Sequence, residues 1–205
     1  MKGLNIEKKS FEIIEKNVDL SKFNESQKQI AKRVIHASGD FEFAKLIRFS
    51  NDAVDVGVNA IKEHWNVVCD VNMVRAGITE EFAKKCNLNL YCFIRDKFVS
   101  DFATKYNKTK AESSIIYANK HFDKIIFVIG NAPTALLEII NLNKSGLLKP
   151  SFIVAFPVGF VDAAYSKELL LKSNLNYITN IGTKGGSAVA ASAFRALMKL
   201  ACKEL

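Results

Sequence analysis

The stretch RVIHASGD, residues 33–40, carries an arginine and a histidine three positions apart and then runs into a glycine. If the stretch closes a helix, Arg33 and His36 share one face of it. Histidine is the side-chain type that most readily gives or takes a proton near neutral pH, so His36 is the first candidate for acid–base work. An arginine beside it offers a planar fork for a carboxylate. Plainer roles are open to both: a cation capping the last carbonyls of a helix, and an arginine stem lying along apolar surface.

Two glycine-bearing stretches follow apolar runs. IIFVIG continues into GNAPTALLE, residues 130–138, where Gly130 permits a tight turn, Asn131 supplies donor and acceptor, and Pro133-Thr134 opens a helix. The first N–H groups of such a helix are expected to be free for an anion, although the same residues also make an ordinary strand-to-helix turn. YITNIG continues into GTKGGSAVAAS, residues 182–192, with Lys184, Gly185, Gly186 and Ser187 ahead of a helix. The order of Lys, Gly and Ser is not that of a Walker A element, so a generic carboxylate or phosphate nest is the better reading.

FPVGFVDAAYSKE places Val158, Phe160 and Val161 where a solvated loop would be polar. It asks for a hydrophobic partner: the core, a subunit interface or a flat apolar ligand. In VVCDVNMVRAGI, Asp70 reads as a helix N-cap after a strand, with an apolar turn following. His64 and His121 read as C-terminal caps, and neither shares metal-ligand spacing with His36. No metal site built by the protein is expected, while a metal carried inside a ligand stays open.

These residues need elements to hold them. Short runs rich in Val, Ile, Phe and Tyr predict strands at 46–49, 67–70, 88–94, 125–129, 152–156 and 177–181. Helices are predicted at 51–63, 96–120, 133–143, 162–173 and 186–203, with a helical layer in the first 45 residues whose clearest piece is 24–36. Strands alternating with helices imply an α/β fold with a mostly parallel sheet covered on both faces. No repeat or linker interrupts the 205 residues, so a single domain over 1–205 is expected. Ligands in such sheets bind beyond the carboxyl ends of the strands, which is where the loops above fall.

A content of 49% hydrophobic and 24% charged residues suits one globular core, and no run approaches the ~18 apolar residues of a membrane span. The N-terminal residues lack the apolar centre of a signal peptide, which points to the cytoplasm. The four cysteines show no CxxC pair and are expected to be reduced and mostly buried. A net charge of +8 favours an anionic partner. The lysines are dispersed, with no aromatic-interleaved basic run, so a polycarboxylate metabolite fits better than nucleic acid.

Taken together and in order, KKSFEII, RVIHASGD, VVCDVNMVRAGIT, VIGNAPTALLEII, FPVGFVDAAYSKE and IGTKGGSAVAASA resemble the precorrin-8X methylmutase family, including its cobalt-precorrin-8 branch. They extend from residue 8 to about 193. The resemblance implies a flavodoxin-like three-layer α/β fold and a homodimer with active sites near the subunit interface. It also implies an isomerase of corrin-ring biosynthesis, working without an added cofactor, that moves a methyl group from C-11 to C-12. The family's catalytic histidine falls on His36, the serine of its SF element on Ser10 and the arginine three before the histidine on Arg33, and the resemblance implies that Ser10 and Arg33 are both substrate contacts. The family commonly carries Thr-Arg-Ser where this chain reads NKTKAESS, so Lys110 stands in the arginine position, keeping the charge without the bidentate fork. With the loop residues Asn131, Thr134, Lys184, Gly185, Gly186 and Ser187, these form the expected corrinoid-binding set. Two other classes share some of the features: a non-catalytic corrinoid carrier, and a nucleotide- or phosphate-binding α/β protein suggested by the glycine loops alone.

Overall fold

The computed structural model describes residues 2–202. An N-terminal layer is built of helices α1 (Lys2–Asn17), α2 (Glu25–Ser38) and α3 (Phe43–Leu46). The chain then alternates: β1 (Ile47–Phe49), α4 (Ala53–Lys62), β2 (Asn66–Cys69), α5 (Asn72–Ile78), α6 (Glu80–Lys85), β3 (Leu90–Tyr91), α7 (Lys97–Lys105) and α8 (Lys110–His121). It closes with β4 (Ile125–Ile129), α9 (Pro133–Lys144), β5 (Ser151–Ala155), α10 (Ala163–Leu171), β6 (Asn176–Asn180) and α11 (Ser187–Ala201).

The six strands form one sheet in the order β1-β6-β5-β4-β2-β3, parallel throughout except for β1, which runs antiparallel to β6. Leaving β1 aside, this is the flavodoxin-like order, whose reversal point lies between β2 and β4. Along β4 the side chains alternate: Ile126 and Val128 pack with α2, α4, α5 and α11, while Ile125, Phe127 and Ile129 pack with α8, α9 and α10. That period-2 division across a fully buried strand makes the three layers.

Helix α2 shows why the chain folds locally as it does. Asn24 and Gln27 form a reciprocal capping box at its start, a feature worth about 1 kcal/mol. Ile30, Ala31, Val34 and Ile35 bury one stripe against α11. Gly39 ends the helix in the left-handed conformation, φ 64°, returning its N–H to the Ile35 carbonyl at 2.9 Å.

Four expectations need correction. The single helix over 96–120 is two, because Asn107 turns left-handed (φ 50°) and Thr109 caps α8 in a box with Glu112. The apolar turn after Asp70 is instead helical, α5 and α6 meeting at Thr79. The strand over 88–94 shrinks to Leu90–Tyr91, paired only with β2. Cys86 and Cys202 are not reduced thiols: they form a disulfide with Cα atoms 5.8 Å apart, because the ends of α6 and α11 are brought side by side. Cys69 and Cys92 are free.

Candidate active site

Helix α1 lies along α2 and presents Glu7 and Ser10, three apart, to Arg33 and His36, also three apart. Ser10 Oγ sits 2.8 Å from His36 Nδ1, and the Arg33 guanidinium donates to the Glu7 carboxylate. Phe11 supports both residues: its ring meets the imidazole edge-on at 5.6 Å between centroids and lies 4.9 Å from the guanidinium carbon. The hydrogen bond from Arg33 holds the Glu7 carboxyl below its ordinary range, against the opposing push of burial. Arg33 is therefore paired within the fold and aligns the two helices. It is not the free clamp that sequence spacing suggested. His36 is exposed, with Nδ1 engaged by Ser10 and Nε2 left without a protein partner among the described residues.

The end of α2 is joined to the second glycine loop. Lys184 Nζ donates to Asp40 at 2.6 Å and to Glu42 at 2.5 Å. These bonds raise the Lys184 pKa, Asp40 contributing most, and lower that of Asp40. Like Arg33, Lys184 already has carboxylate partners. Around it Gly182 and Gly186 adopt positive φ, Gly186 N–H donates to the Phe156 carbonyl at 2.8 Å, and Gly159 N–H donates to the Thr183 carbonyl at 3.1 Å. A side chain on Gly185 would collide with that same Phe156 carbonyl. The loops after β5 and β6 are thus one packed unit.

At the reversal point between β2 and β4, Asp70 is not an N-cap. The cap position of α5 is Val71, and the Asp70 carboxylate instead accepts from the N–H groups of Gly130 (3.1 Å), Asn131 (2.8 Å) and Ala132 (2.7 Å). Burial pushes its pKa up while these donors pull against it. The loop N–H groups expected to be free for an anion are consequently occupied by an internal carboxylate. What the GNAP loop presents outward is the exposed Asn131 and the half-buried Thr134, whose hydroxyl receives that of Thr109 at 3.1 Å. Lys110, the first residue of α8, is exposed beside them. Gly130 packs on Ser187, where an added Cβ would come within 2.8 Å of its Cα.

Three separate contacts tie these loops down: Thr109 to Thr134, Gly130 on Ser187, and Lys184 to Asp40 just beyond the end of α2 that bears His36. Sequence reasoning missed Glu7, Asp40, Glu42 and Lys167. The signal for Glu7 is the matched three-residue spacing in α1 and α2. The signal for Lys167 is its place in the Ala163, Ser166, Lys167, Leu170 stripe of α10. The apolar loop after β5 is not core: Phe160 is 96% and Val161 79% exposed, with Val158 and Tyr165 beside them. His121 caps α8 through the Tyr117 carbonyl at 2.7 Å, whereas His64 reaches the Cys86 carbonyl at 3.3 Å, outside its own helix.

Comparison with known proteins agrees with this architecture. The model of the precorrin-8X methylmutase family matches residues 5–200. The cobalt-precorrin-8 methylmutase of Priestia megaterium is 44% identical, covering 96% of this chain and 87% of the relative; that of Leptospira interrogans is 40% identical, covering 98% and 95%. The precorrin-8X methylmutase of Pseudomonas aeruginosa is 34% identical over 95% and 94% of the two chains. Among solved structures, the precorrin-8X methylmutase of Thermus thermophilus superposes with a TM-score of 0.88 at 31% identity, covering 98% of this chain and 97% of its own. The chain belongs to the precorrin-8X methylmutase family.

Proposed function

We propose that this protein is the isomerase of cobalamin biosynthesis that moves a methyl group from C-11 to C-12 of precorrin-8X or cobalt-precorrin-8, giving hydrogenobyrinate or cobyrinate. Full-length similarity to methylmutases of both branches supports the reaction, and one observation of geometry supports the residue that carries it: the Ser10–His36 hydrogen bond at 2.8 Å.

Substrate and product are isomers, so a proton lent to the ring must be returned, and the reaction needs neither a redox centre nor a nucleophile from the protein. Protonation makes the conjugated system electron-deficient and eases migration of the methyl group with its electron pair. His36 is the proposed lender. Ser10 occupies Nδ1 and fixes the ring's orientation, which directs Nε2 to the macrocycle. General acid catalysis of this kind contributes about 10²–10⁴ in rate, with the rest coming from holding the macrocycle in its reactive tautomer.

The peripheral acetates and propionates are the handles for that binding. Since Arg33 and Lys184 are satisfied internally, the proposed receivers are Lys110, the Asn131 amide, the Thr134 hydroxyl, and the N–H groups of Gly185 and Ser187 at the start of α11. Gly186 shapes this turn and gives its own N–H to Phe156. The net charge of +8 draws the polyanion in. Cobalt, where present, arrives inside the substrate. A second copy of the chain is the proposed cover for the Val158–Tyr165 surface, which adjoins the glycine loop through the Gly159–Thr183 bond; this makes the protein a homodimer with its sites close to the interface. No helix among the described residues is long and apolar enough to cross a membrane, and the proposed compartment is the cytoplasm.

Incubation of the purified protein with precorrin-8X or cobalt-precorrin-8 is expected to shift the visible spectrum as the conjugation changes. Stoichiometric binding with no turnover would replace this reading with that of a corrinoid carrier. A His36→Ala variant that turns over at the wild-type rate would remove His36 from the proton transfer.

A further inference from the structure

Lys167 projects from α10 into the interior and has no exposed surface. Its ammonium has no carboxylate partner within ion-pair distance among the described residues. Instead Nζ donates to the Lys184 carbonyl at 2.7 Å and to Asn180 Oδ1 at 3.3 Å. Asn180 Nδ2 donates to the same Lys184 carbonyl at 2.8 Å and to the Ile181 carbonyl at 3.0 Å. Two buried donors thus converge on one carbonyl of the glycine loop.

Burying an ammonium without a counter-charge works against stability, and here burial pushes the Lys167 pKa down to about 8. An apolar side chain of equal length would fill the space at less cost, so packing alone does not account for the residue. The consequence for the loop does. In a trans peptide the carbonyl and the following N–H point in opposite directions. Drawing the Lys184 carbonyl inward turns the Gly185 N–H outward, beside the N-terminus of α11. The flanking residues would not impose that orientation by themselves, because Gly182 (φ 78°) and Gly186 (φ 121°) leave the loop's backbone permissive. A flipped peptide would show an approaching carboxylate a carbonyl oxygen in place of a donor.

We propose that Lys167, with Asn180, is a positioning residue: it locks the Lys184–Gly185 peptide so that the Gly185 amide receives a peripheral carboxylate of the macrocycle. The proposal rests on the substrate assignment above for its ligand, but the locking itself does not.

The test is Lys167→Met in the full chain, with two readouts. Amide hydrogen exchange in the free protein is expected to speed up about tenfold or more at Gly186 and Gly159, the two hydrogen-bonded amides that report on this loop, and to stay unchanged in α2 and β4, since a hydrogen bond from a charged donor is worth roughly that factor or more. In steady-state assays KM should rise about tenfold while kcat changes less than about threefold, with Tm equal to or above wild type. Unchanged loop exchange, faster exchange spread over the whole molecule, or a fall in kcat at constant KM would each overturn the proposal. If Lys167→Met does not fold, Asn180→Ser carries the test: it keeps the ammonium, removes the bridging amide and should loosen the same residues, and wild-type exchange there overturns the idea. A wild-type protein inactive on the corrinoid would sink the substrate reading, and the exchange result would still decide whether Lys167 holds the loop.

Discussion

Replacing Ser10 by alanine removes one hydroxyl and leaves the rest of the His36 environment in place. A single hydrogen bond contributes a net 0.5–1.5 kcal/mol, roughly. His36 is exposed, so water can take the place of the lost hydroxyl, and Phe11 still meets the ring edge-on at 5.6 Å. The expected loss of orientation is therefore about 1 kcal/mol, or a fall in kcat of about fivefold. KM should hardly move, and stability should stay within about 0.5 kcal/mol because the site is at the surface. His36→Ala should cost far more, about 10²–10⁴ in kcat. The decisive assay is the double-mutant cycle, following the visible spectrum of the corrinoid: in a His36→Ala background Ser10→Ala should have no further effect. If Ser10→Ala slows the reaction equally with and without His36, the serine acts on the substrate and not through the imidazole, and the orienting role is wrong.

The remaining predictions concern the supports of the site. Asp70→Asn leaves at least one buried N–H of residues 130–132 facing an amide donor, and should cost about 3 kcal/mol, lowering Tm by about 6–12 °C in thermal denaturation. The Asp40–Lys184 contact depends on pH from both sides. Asp40 has a lowered pKa, so its contribution is present above the unfolded value near 3.9 and is lost as pH falls through the lower folded value. Lys184 has a raised pKa, so its contribution is lost as pH rises through a value above 10.5. Protection of the loop amides, taken relative to their intrinsic exchange at each pH, should be greatest between those limits, and protection that does not change as Asp40 becomes protonated would refute the linkage. Phe160 is 96% exposed in the single chain; if the proposed dimer forms on this face, wild type should elute as a dimer in size-exclusion chromatography and Phe160→Asp as a monomer, and equal elution of the two would refute this face as the interface. Reduction of Cys86–Cys202, or Cys202→Ser, should lower stability by about 2–4 kcal/mol by releasing a long loop in the unfolded chain, with activity at 25 °C retained because the bridge lies at the far end of α11 from Ser187.

Strands were legible wherever a short apolar run met polar punctuation: the segment read at 125–129 is β4 residue for residue, and those read at 152–156 and 177–181 are displaced by one. Legibility failed where a single residue's backbone decided the outcome. Asn107 and Thr79, both at positive φ, divide what periodicity reads as one helix or as a turn. Such choices depend on what the neighbouring elements require, which local pattern does not contain. The same limit hid the disulfide, whose cysteines lie 116 residues apart and meet only because α6 and α11 pack together.

The site shows a sharper division. Residue types that suit an anion were legible in the sequence, but the partners that several of them have in the fold were not. Arg33 and Lys184, the two cations most suggestive of a clamp, are bound to Glu7 and to Asp40 and Glu42, which are 26, 144 and 142 residues away. Asp70, read as a local cap, fills the donors of a loop 60 residues on. A polyanionic macrocycle makes physical sense of this arrangement. Fully free cations would bind any small anion, whereas paired cations hold α1, α2 and the glycine loop in register and leave recognition to directed N–H, hydroxyl and amide groups. For the proposed corrinoid, charge would bring the ligand near and geometry, set by internal ion pairs, would select it.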